Sequence, residues 1–334
     1  MINAKAVVFP EKNQVEFQSV TCPDPGPTDV VVRLRHSWIS NGTEGSFLRG
    51  ERIAGDVAYR PGDPIPFPIV AGYQKVGVVD WVGAEVTRVR VGQTVFCTVS
   101  AVNGMFDERG GHVSPAVTDQ SQVWPVPNGV DPLAVSGLVL TQVGYNCGAR
   151  PSVDVGDTAL VIGDGMVGLW AAQTLSWRGC RVILAGRHED RLARFQPGFG
   201  RETVDTTEVD LEAMLERRRV TLQVIVDSVG SIEAISRYAR FAPRFAHVVS
   251  AGFYGVDDLL AVQQLRNAEI AVDLVSGWTT PRLETTLELV GQGHLETLPL
   301  ITNHFPAAEA ATAWRYITEK RENALGVILD WEGA

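Results

Sequence analysis

The chain has 334 residues, with 29 lysines and arginines against 39 aspartates and glutamates, and its formal net charge is −10 at pH 7. Hydrophobic residues make up 45% of the chain, which supplies a large core and excludes a mostly disordered protein. The acidic balance argues against a nucleic-acid partner and against an anionic membrane surface, because both favour a basic protein face. No apolar run approaches the roughly 18 to 20 residues of a membrane-spanning helix.

The four cysteines are scattered and form no CxxC pair. The first residues lack the basic segment followed by an apolar segment that marks a secretory signal. These two observations predict a cytoplasmic protein without disulfide bonds.

The first part of the chain, residues 1–127, consists of short apolar runs separated by glycine and proline turns, which predicts a β-rich domain. The predicted strands cover residues 6–9, 30–34, 77–82, 94–99 and 122–126. Residues 132–149 contain few helix breakers and predict a helix.

From residue 158 onwards, predicted strands alternate with predicted helices. The strands cover residues 158–162, 181–185, 223–227, 247–251 and 270–275, and the helices cover residues 167–178, 190–195, 211–218 and 232–241. This alternation predicts an α/β fold with a doubly wound parallel sheet that is covered on both faces. Two further helices at 282–291 and 307–319 and a closing strand at 325–330 complete the prediction.

The clearest motif is a glycine-rich turn between a predicted strand and a predicted helix. It reads Gly163-x-Gly165-x-x-Gly168. In such a turn the first glycine permits a tight bend, the second lets a pyrophosphate approach the backbone, and the third lets the helix pack on the strand. The motif therefore predicts a dinucleotide site, which also includes Met166 and Val167 at the start of the helix.

The end of the next strand predicts which dinucleotide is bound. NAD sites usually carry an acid there to hold the ribose hydroxyl, but this chain has Gly186 followed by Arg187, with Arg191 one helical turn later. The missing acid and the added guanidinium favour NADP(H), because arginine binds phosphate through paired hydrogen bonds. In the alternative, the arginines are solvated and Glu189 or Asp190 holds the ribose. The predicted cofactor site also includes His188, Ser228, Ala251, Gly252 and Phe253.

Several segments resemble the medium-chain dehydrogenase/reductase superfamily in the same order. Residues 39–44, 68–79 and 299–331 are similar to the family's metal-loop segment, to the segment that carries Gly-His-Glu in zinc members, and to its closing helix and strand. The short motifs are most similar to the bacteriochlorophyllide a dehydrogenase-like subgroup. The resemblance implies a GroES-like catalytic domain at 1–127, a Rossmann NADP-binding domain at 128–277, and a return to the catalytic domain at 278–334.

The places that hold zinc ligands in zinc members carry different residues in this chain. A cysteine is replaced by Asn41, a histidine by Tyr73, and the third ligand by a residue at about Val139, while Gln74 replaces a nearby acid. Asparagine, tyrosine and valine do not build a tetrahedral zinc site, so no metal is expected.

Without zinc, hydrogen-bond donors must stabilise the oxyanion that forms during hydride transfer. The candidates are the Tyr73 phenol, the Thr43 hydroxyl at the family's proton-relay position, and the Asn41 amide. Glu44 is a candidate for orienting Thr43 or for acting as a base. In the alternative, Tyr73 packs in the core, and Thr43 and Glu44 only brace a loop.

The resulting hypothesis is a zinc-independent NADP(H)-dependent oxidoreductase that acts on a secondary alcohol or ketone. The alternatives are a quinone or enoyl reductase, which reduces an activated C=C bond, and an NADPH-binding sensor or structural subunit without turnover. The partners expected are a small-molecule substrate, including ring-bearing compounds, and a second copy of the chain in a homodimer.

Overall fold

The computed structural model describes residues 1–256, 258–319 and 324–333. The chain divides into two compact units. Unit 1 contains Met1–Val139 and Thr297–Ala334, and unit 2 contains Leu140–Glu296.

The strands and helices are numbered here in chain order. The strands are β1 (Ile2–Phe9), β2 (Glu16–Cys22), β3 (Asp29–Ile39), β4 (Arg52–Ala54), β5 (Val57–Ala58), β6 (Ile69–Val70), β7 (Lys75–Val82), β8 (Thr94–Cys97), β9 (Ser100–Ala101), β10 (Arg109–Gly110), β11 (Val113–Ser114), β12 (Ala116–Asp119), β13 (Val123–Pro125), β14 (Thr158–Ile162), β15 (Arg181–Gly186), β16 (Arg201–Asp205), β17 (Val224–Asp227), β18 (His247–Ser250), β19 (Ala271–Leu274), β20 (Ile301–Pro306) and β21 (Gly326–Asp330). The α-helices are α1 (Asn41–Leu48), α2 (Leu138–Ala149), α3 (Met166–Trp177), α4 (Glu189–Leu192), α5 (Leu211–Arg218), α6 (Ile232–Tyr238), α7 (Val262–Arg266), α8 (Thr280–Gly291) and α9 (Ala310–Thr318).

Unit 1 is built around a largely antiparallel sheet. Its strand order is β10-β9-β12-β3-β7-β8-β13, and β21 joins the same sheet beside β3 with β20 paired to it. A smaller sheet has the order β11-β1-β2, with β6 paired to β1. The long strand β3 is central because apolar side chains on both of its faces, including Val30, Val32, Leu34 and Ile39, are buried.

Unit 2 contains a six-stranded parallel sheet with the order β16-β15-β14-β17-β18-β19. Its inner strands are continuous apolar runs, as in sheets that helices cover on both faces, and β14 and β17 are almost entirely buried. The edge strand β19 differs, since Val272 is 39% exposed and Leu274 is 71% exposed. The β-rich domain and the doubly wound parallel sheet predicted from the sequence are thus both confirmed.

The boundaries between the two units lie after Val139 and after Glu296, later in the chain than the expected boundaries at 127 and 277. Residues 132–139 stay with unit 1 because the predicted helix at 132–149 is interrupted near Gly137, where an added Cβ would lie 2.7 Å from the Trp38 ring. A 3-10 turn, Pro132–Val135, precedes α2 there. The segment after 277 stays with unit 2, where the Glu296 backbone exchanges hydrogen bonds with Gln173 and Trp170 of α3.

Helix α1 and strand β16 are among the elements that were not predicted. Helix α1 occupies residues that were treated as a loop, and its sequence contains two glycines, which weaken any helical pattern. Strand β16 has the sequence RETVD and buries only Val204, so it lacks the apolar run by which the other strands of the sheet were found.

The described residues include no helix that is long and apolar enough to cross a membrane. The four cysteines are buried free thiols.

Candidate functional site

The first and third glycines of the glycine-rich turn are required by contacts within unit 2. Gly163 has φ +111°, and an added Cβ would lie 2.5 Å from the Ser228 hydroxyl oxygen. An added Cβ at Gly168 would lie 2.0 Å from the Gly163 carbonyl oxygen. A side chain at Gly163 would clash with the loop that follows β17, and one at Gly168 would push α3 away from the end of β14, so these two glycines are explained by packing.

The second glycine has no such explanation. Gly165 is the N-cap residue of α3 with φ −75°, and an added Cβ would meet no protein atom within 4 Å. No side chain caps this end of the twelve-residue helix, whose first two residues are Met166 and Val167. Open space in front of a helix N-terminus is what a pyrophosphate needs, so the predicted loop fits a dinucleotide.

The residue between the first two glycines, Asp164, holds the end of β15 in place. Its carboxylate accepts hydrogen bonds from the backbone N–H groups of Arg187, at 2.7 Å, and His188, at 2.8 Å. An added Cβ at Gly186 would lie 2.4 Å from an Asp164 oxygen. Gly186 is therefore a glycine because a carboxylate from the neighbouring loop already occupies the adjacent space.

Two of the side chains predicted for the nucleotide lie beside this carboxylate. His188 Nδ1 lies 3.0 Å and the Arg191 guanidinium lies 3.7 Å from Asp164 oxygens. The Arg187 side chain is exposed, and no ion pair or side-chain hydrogen bond is found for it among the described residues. The Asp164 charge is thus largely compensated, whereas the Arg187 charge is available to a ligand.

The remaining predicted cofactor residues lie at the ends of β17 and β18, at the same edge of the sheet. The buried Asp227 carboxylate accepts hydrogen bonds from the N–H groups of Val229, Gly230 and Ser231, which fixes the loop that contains Ser228. Ser228 itself donates to the Ile162 carbonyl oxygen at 2.8 Å. This loop packs against the segment that follows β18, which contains the other three predicted residues, Ala251, Gly252 and Phe253.

In unit 1, the candidate catalytic residues lie on or beside helix α1. Ser40 is its N-cap residue, and the Glu44 carboxylate accepts a hydrogen bond from the Ser40 backbone N–H at 2.8 Å. A glutamate that reaches back to the N-cap satisfies one of the N–H groups that a helix start leaves free. This contact explains how a glycine-containing segment becomes helical.

The second carboxylate oxygen of Glu44 contacts His112 Nε2 at 2.9 Å, and both residues are almost fully buried. The opposite ring nitrogen of His112 lies 2.8 Å from the Ser37 hydroxyl, which also accepts a hydrogen bond from the Trp331 indole. Both Glu44 oxygens are therefore engaged by the protein. Glu44 positions α1, and the structure gives no support to the predicted role as a base.

The phenol of Tyr73 belongs to a cluster of three hydroxyl groups with Ser40 and Thr43. The pKa of the Tyr73 phenol is raised to about 12, mainly by burial and also by the Glu44 charge, while hydrogen bonds with Ser40 and Thr43 act in the opposite direction. Tyr73 is nevertheless only partly buried by its exposed area. It is therefore a neutral hydrogen-bond donor near neutral pH, in a place that solvent still reaches.

Asn41 is fixed in one orientation by the chain that enters β21. Its amide nitrogen donates to the carbonyl oxygens of Leu325, at 2.9 Å, and Ala324, at 3.3 Å. Its amide oxygen is buried and has no hydrogen-bond partner among the described residues. Asn41 therefore offers an acceptor rather than the predicted amide donor, because both donor contacts are already used.

The residues at the zinc-ligand places do not fit a zinc ion. The Asn41 nitrogen is committed to two carbonyl groups, the Tyr73 phenol is held neutral, and Val139 is apolar and 3% exposed. Within residues 1–256, 258–319 and 324–333, no group of three or more histidines, cysteines or carboxylates is arranged to hold a metal.

Sequence reasoning did not find the roles of Asp164, Ser40 or His112. The glycine at position 72 is nevertheless a sequence signal for His112. Gly72 has φ +84°, and an added Cβ there would lie 2.5 Å from the His112 ring, so the glycine before Tyr73 makes room for this histidine. Asp164 lies inside a recognised motif, but at a position that the motif leaves unspecified.

Two family models match the chain. An alcohol dehydrogenase GroES-like domain matches residues 26–128, and a zinc-binding dehydrogenase model matches residues 200–323. A 2-desacetyl-2-hydroxyethyl bacteriochlorophyllide A dehydrogenase from Rhodobacter capsulatus is 29% identical over 317 residues, covering 93% of each chain.

Solved structures share the fold over nearly the whole chain. A short chain alcohol dehydrogenase from Escherichia coli CFT073, solved with NADH, has a TM-score of 0.85 at 20% identity and covers 98% of this chain and 99% of its own. A structure from Sinorhizobium meliloti 1021 bound to NADP has a TM-score of 0.81 at 18% identity and covers 99% of this chain and 100% of its own. With its two matching domains, its parallel sheet and its glycine-rich turn, the chain belongs to the medium-chain dehydrogenase/reductase superfamily of oxidoreductases.

Proposed function

We propose that the chain is an NADP(H)-dependent dehydrogenase that interconverts a secondary alcohol and a ketone without a catalytic zinc ion. The assignment of a dinucleotide cofactor rests on the open, uncapped start of α3 in front of Gly165. Two neighbours of the same fold hold NADH and NADP, which supports a nicotinamide dinucleotide at this position. A bound nicotinamide would supply or accept the hydride.

The preference for NADP(H) is inferred from the charges at the end of β15. The Asp164 carboxylate is covered by two backbone N–H groups and lies beside the His188 ring and the Arg191 guanidinium, so it neither repels a phosphate strongly nor remains open to a ribose hydroxyl. The exposed Arg187 guanidinium supplies the paired donors that a 2′-phosphate binds.

The Arg187→Asp variant tests this preference. The change places a negative charge where the 2′-phosphate is expected, so we expect the Kd of NADPH to rise at least about tenfold more than the Kd of NADH. Calorimetric titration of both cofactors measures the two constants. Arg217→Asp is the matched control, because Arg217 is equally exposed and lies on helix α5. Equal losses for NADPH and NADH in the Arg187 variant would reject the assignment.

The proposal that no zinc is needed rests on the residues at the ligand places, which do not fit the ion. In its absence the chain must stabilise a negative oxygen with its own donors. We assign this role to the Tyr73 phenol, with Thr43 as the hydroxyl through which the proton of the substrate passes to or from solvent. Ser40, the N-cap residue of α1, hydrogen-bonds the Tyr73 phenol and so orients it.

The Tyr73→Phe variant tests the donor role. The loss of one donor to the developing oxyanion is expected to lower kcat by about a hundredfold, while the Kd of NADPH stays within about twofold. Because the phenol stays protonated until its pKa of about 12, its contribution should be constant with pH across the neutral range. Tyr238→Phe in α6 is the control. Unchanged kcat would remove Tyr73 from the mechanism.

The substrate class is proposed from the chemistry of the site and from the relatives. The bacteriochlorophyllide dehydrogenase acts on a compound whose name contains a hydroxyethyl group on a ring system, which is a secondary alcohol. A quinone or enoyl reductase and an NADPH-binding protein without turnover remain the alternatives. The Thr43 hydroxyl, at the place that resembles the family's proton relay, favours alcohol oxidation, in which the proton leaves an oxygen atom, over C=C reduction, in which the proton is added to the carbon next to the carbonyl. The proposal includes a homodimer, for which the exposed edge strand β19 is a suitable surface.

A further inference from the structure

A second pocket lies in unit 2, at the edge of the sheet opposite to the glycine-rich turn. It has a volume of about 500 Å³ and is lined by the amino ends of β14, β15 and β16 and by the end of α5. Strand β14 runs five residues from this edge, at Thr158, to Ile162 before the glycine-rich turn. At about 3.3 Å per residue the two edges are roughly 15 Å apart, so a dinucleotide on the turn does not explain this pocket.

The pocket is strongly basic in an acidic protein. Four arginines line it (Arg181, Arg201, Arg218 and Arg219) against a single acid, Glu202, although the whole chain carries a net charge of −10. Glu202 is paired with Arg218 at 2.7 Å. Arg201 is held by the Ser176 hydroxyl at 2.7 Å and lies over the Phe195 ring.

The other two arginines, Arg181 and Arg219, are exposed and make no ion pair, side-chain hydrogen bond or ring contact within the described part of the chain. Arg219 follows the last residue of α5 with φ +52°, a left-handed conformation that glycine usually occupies. Basic residues in the last turn of a helix are explained by their favourable interaction with the negative carboxyl end of the helix dipole. This interaction does not explain why Arg219 holds a strained conformation beyond that turn, nor why Arg181 lies on a strand.

We propose that this pocket binds a small polyanion, of the size of a pyrophosphate or a tricarboxylate, at a site separate from the dinucleotide. Arg181 and Arg219 would contact the ligand directly, and Arg201 and Arg218 would add positive charge from fixed positions. Guanidinium groups bind phosphate and carboxylate groups through paired hydrogen bonds, and the volume is within the range of small-molecule sites. The negative charge of the whole protein disfavours a nucleic acid as the occupant.

Calorimetric titration with pyrophosphate and, separately, with citrate tests the site. Each titration is made with and without a saturating dinucleotide, NADPH or NADH. The variants are Arg181→Ala and Arg219→Gly, and the matched control is Arg217→Ala, which lies in the same run of arginines but does not line the pocket. Glycine suits the left-handed conformation of residue 219, so Arg219→Gly should keep or raise the melting temperature.

We expect at least one of the two anions to bind the wild type with the dinucleotide present, and the Arg217 control to bind equally well. Arg181→Ala and Arg219→Gly should each weaken binding at least about tenfold. The comparison of pyrophosphate with citrate identifies phosphate or carboxylate as the preferred group. Absence of binding to the wild type, loss of binding in the presence of dinucleotide, or equal affinity in all variants would overturn the proposal.

Discussion

The Gly165→Val variant is expected to lose dinucleotide binding while it keeps its fold. An added side chain meets no protein atom within 4 Å, and φ is −75°, so the backbone accepts valine without strain. The side chain would occupy the space in front of the α3 N–H groups. The loss of two charge-assisted hydrogen bonds to the pyrophosphate should raise the Kd of the dinucleotide by about a hundredfold.

Calorimetry with NADPH and a thermal melt of the variant check this expectation together. Gly168→Ala is the contrasting variant, since its Cβ would lie 2.0 Å from the Gly163 carbonyl oxygen. It should lower the melting temperature, whereas Gly165→Val should not. Undiminished NADPH binding by a folded Gly165→Val protein would place the dinucleotide elsewhere.

The second large effect is expected from the buried contact between Glu44 and His112. The Glu44→Ala variant leaves His112 and the Ser40 N–H without their acceptor inside unit 1. Leaving a buried hydrogen-bonding group without its partner costs about 1–3 kcal/mol of unfolding free energy for each group. Denaturant unfolding measures the loss, and Glu85→Ala, at an exposed glutamate, should change the unfolding free energy by no more than about 0.5 kcal/mol.

A double-mutant cycle identifies the source of that loss. If the two side chains stabilise the fold through each other, Glu44→Ala combined with His112→Ala should cost clearly less than the sum of the single variants. Additive losses would mean that the contact contributes little. The same variants separate positioning from catalysis when kcat is also measured against pH. Loss of a catalytic base would change the pH profile of kcat, whereas loss of a positioning residue would chiefly lower the unfolding free energy.

The sequence predicted those features that follow from a regular pattern. Alternating apolar strands and helices identified the parallel sheet, and the glycine spacing located the turn between β14 and α3. Both signals are local, because each depends on residues within about one βα unit. Strand β16 was missed since an edge strand with one buried side chain carries no apolar run.

The contacts that define the site depend on residues distant in the chain. Glu44 and His112 are 68 positions apart, and Asp164 and His188 are 24 positions apart. A motif identifies neither partner, and the residue alone left three roles open for Glu44, namely base, orienting group and loop brace, whereas the structure shows both its oxygens engaged. Asn41 shows the same limit of sequence reasoning. Its amide nitrogen donates to carbonyl groups near β21, and its amide oxygen has no hydrogen-bond partner among the described residues.

The central claim is that this chain transfers hydride between NADP(H) and a secondary alcohol or ketone without zinc. Nicotinamide absorbance, followed in protein treated with EDTA, tests it most directly. One series combines NADP⁺ with secondary alcohols, including polyols, cyclitols and hydroxyethyl aromatics, and another combines NADPH with quinones and enones. We expect turnover of at least one alcohol at a rate that EDTA leaves unchanged and that Tyr73→Phe lowers. Reduction of enones alone, or alcohol turnover that returns only when zinc is added, would contradict it.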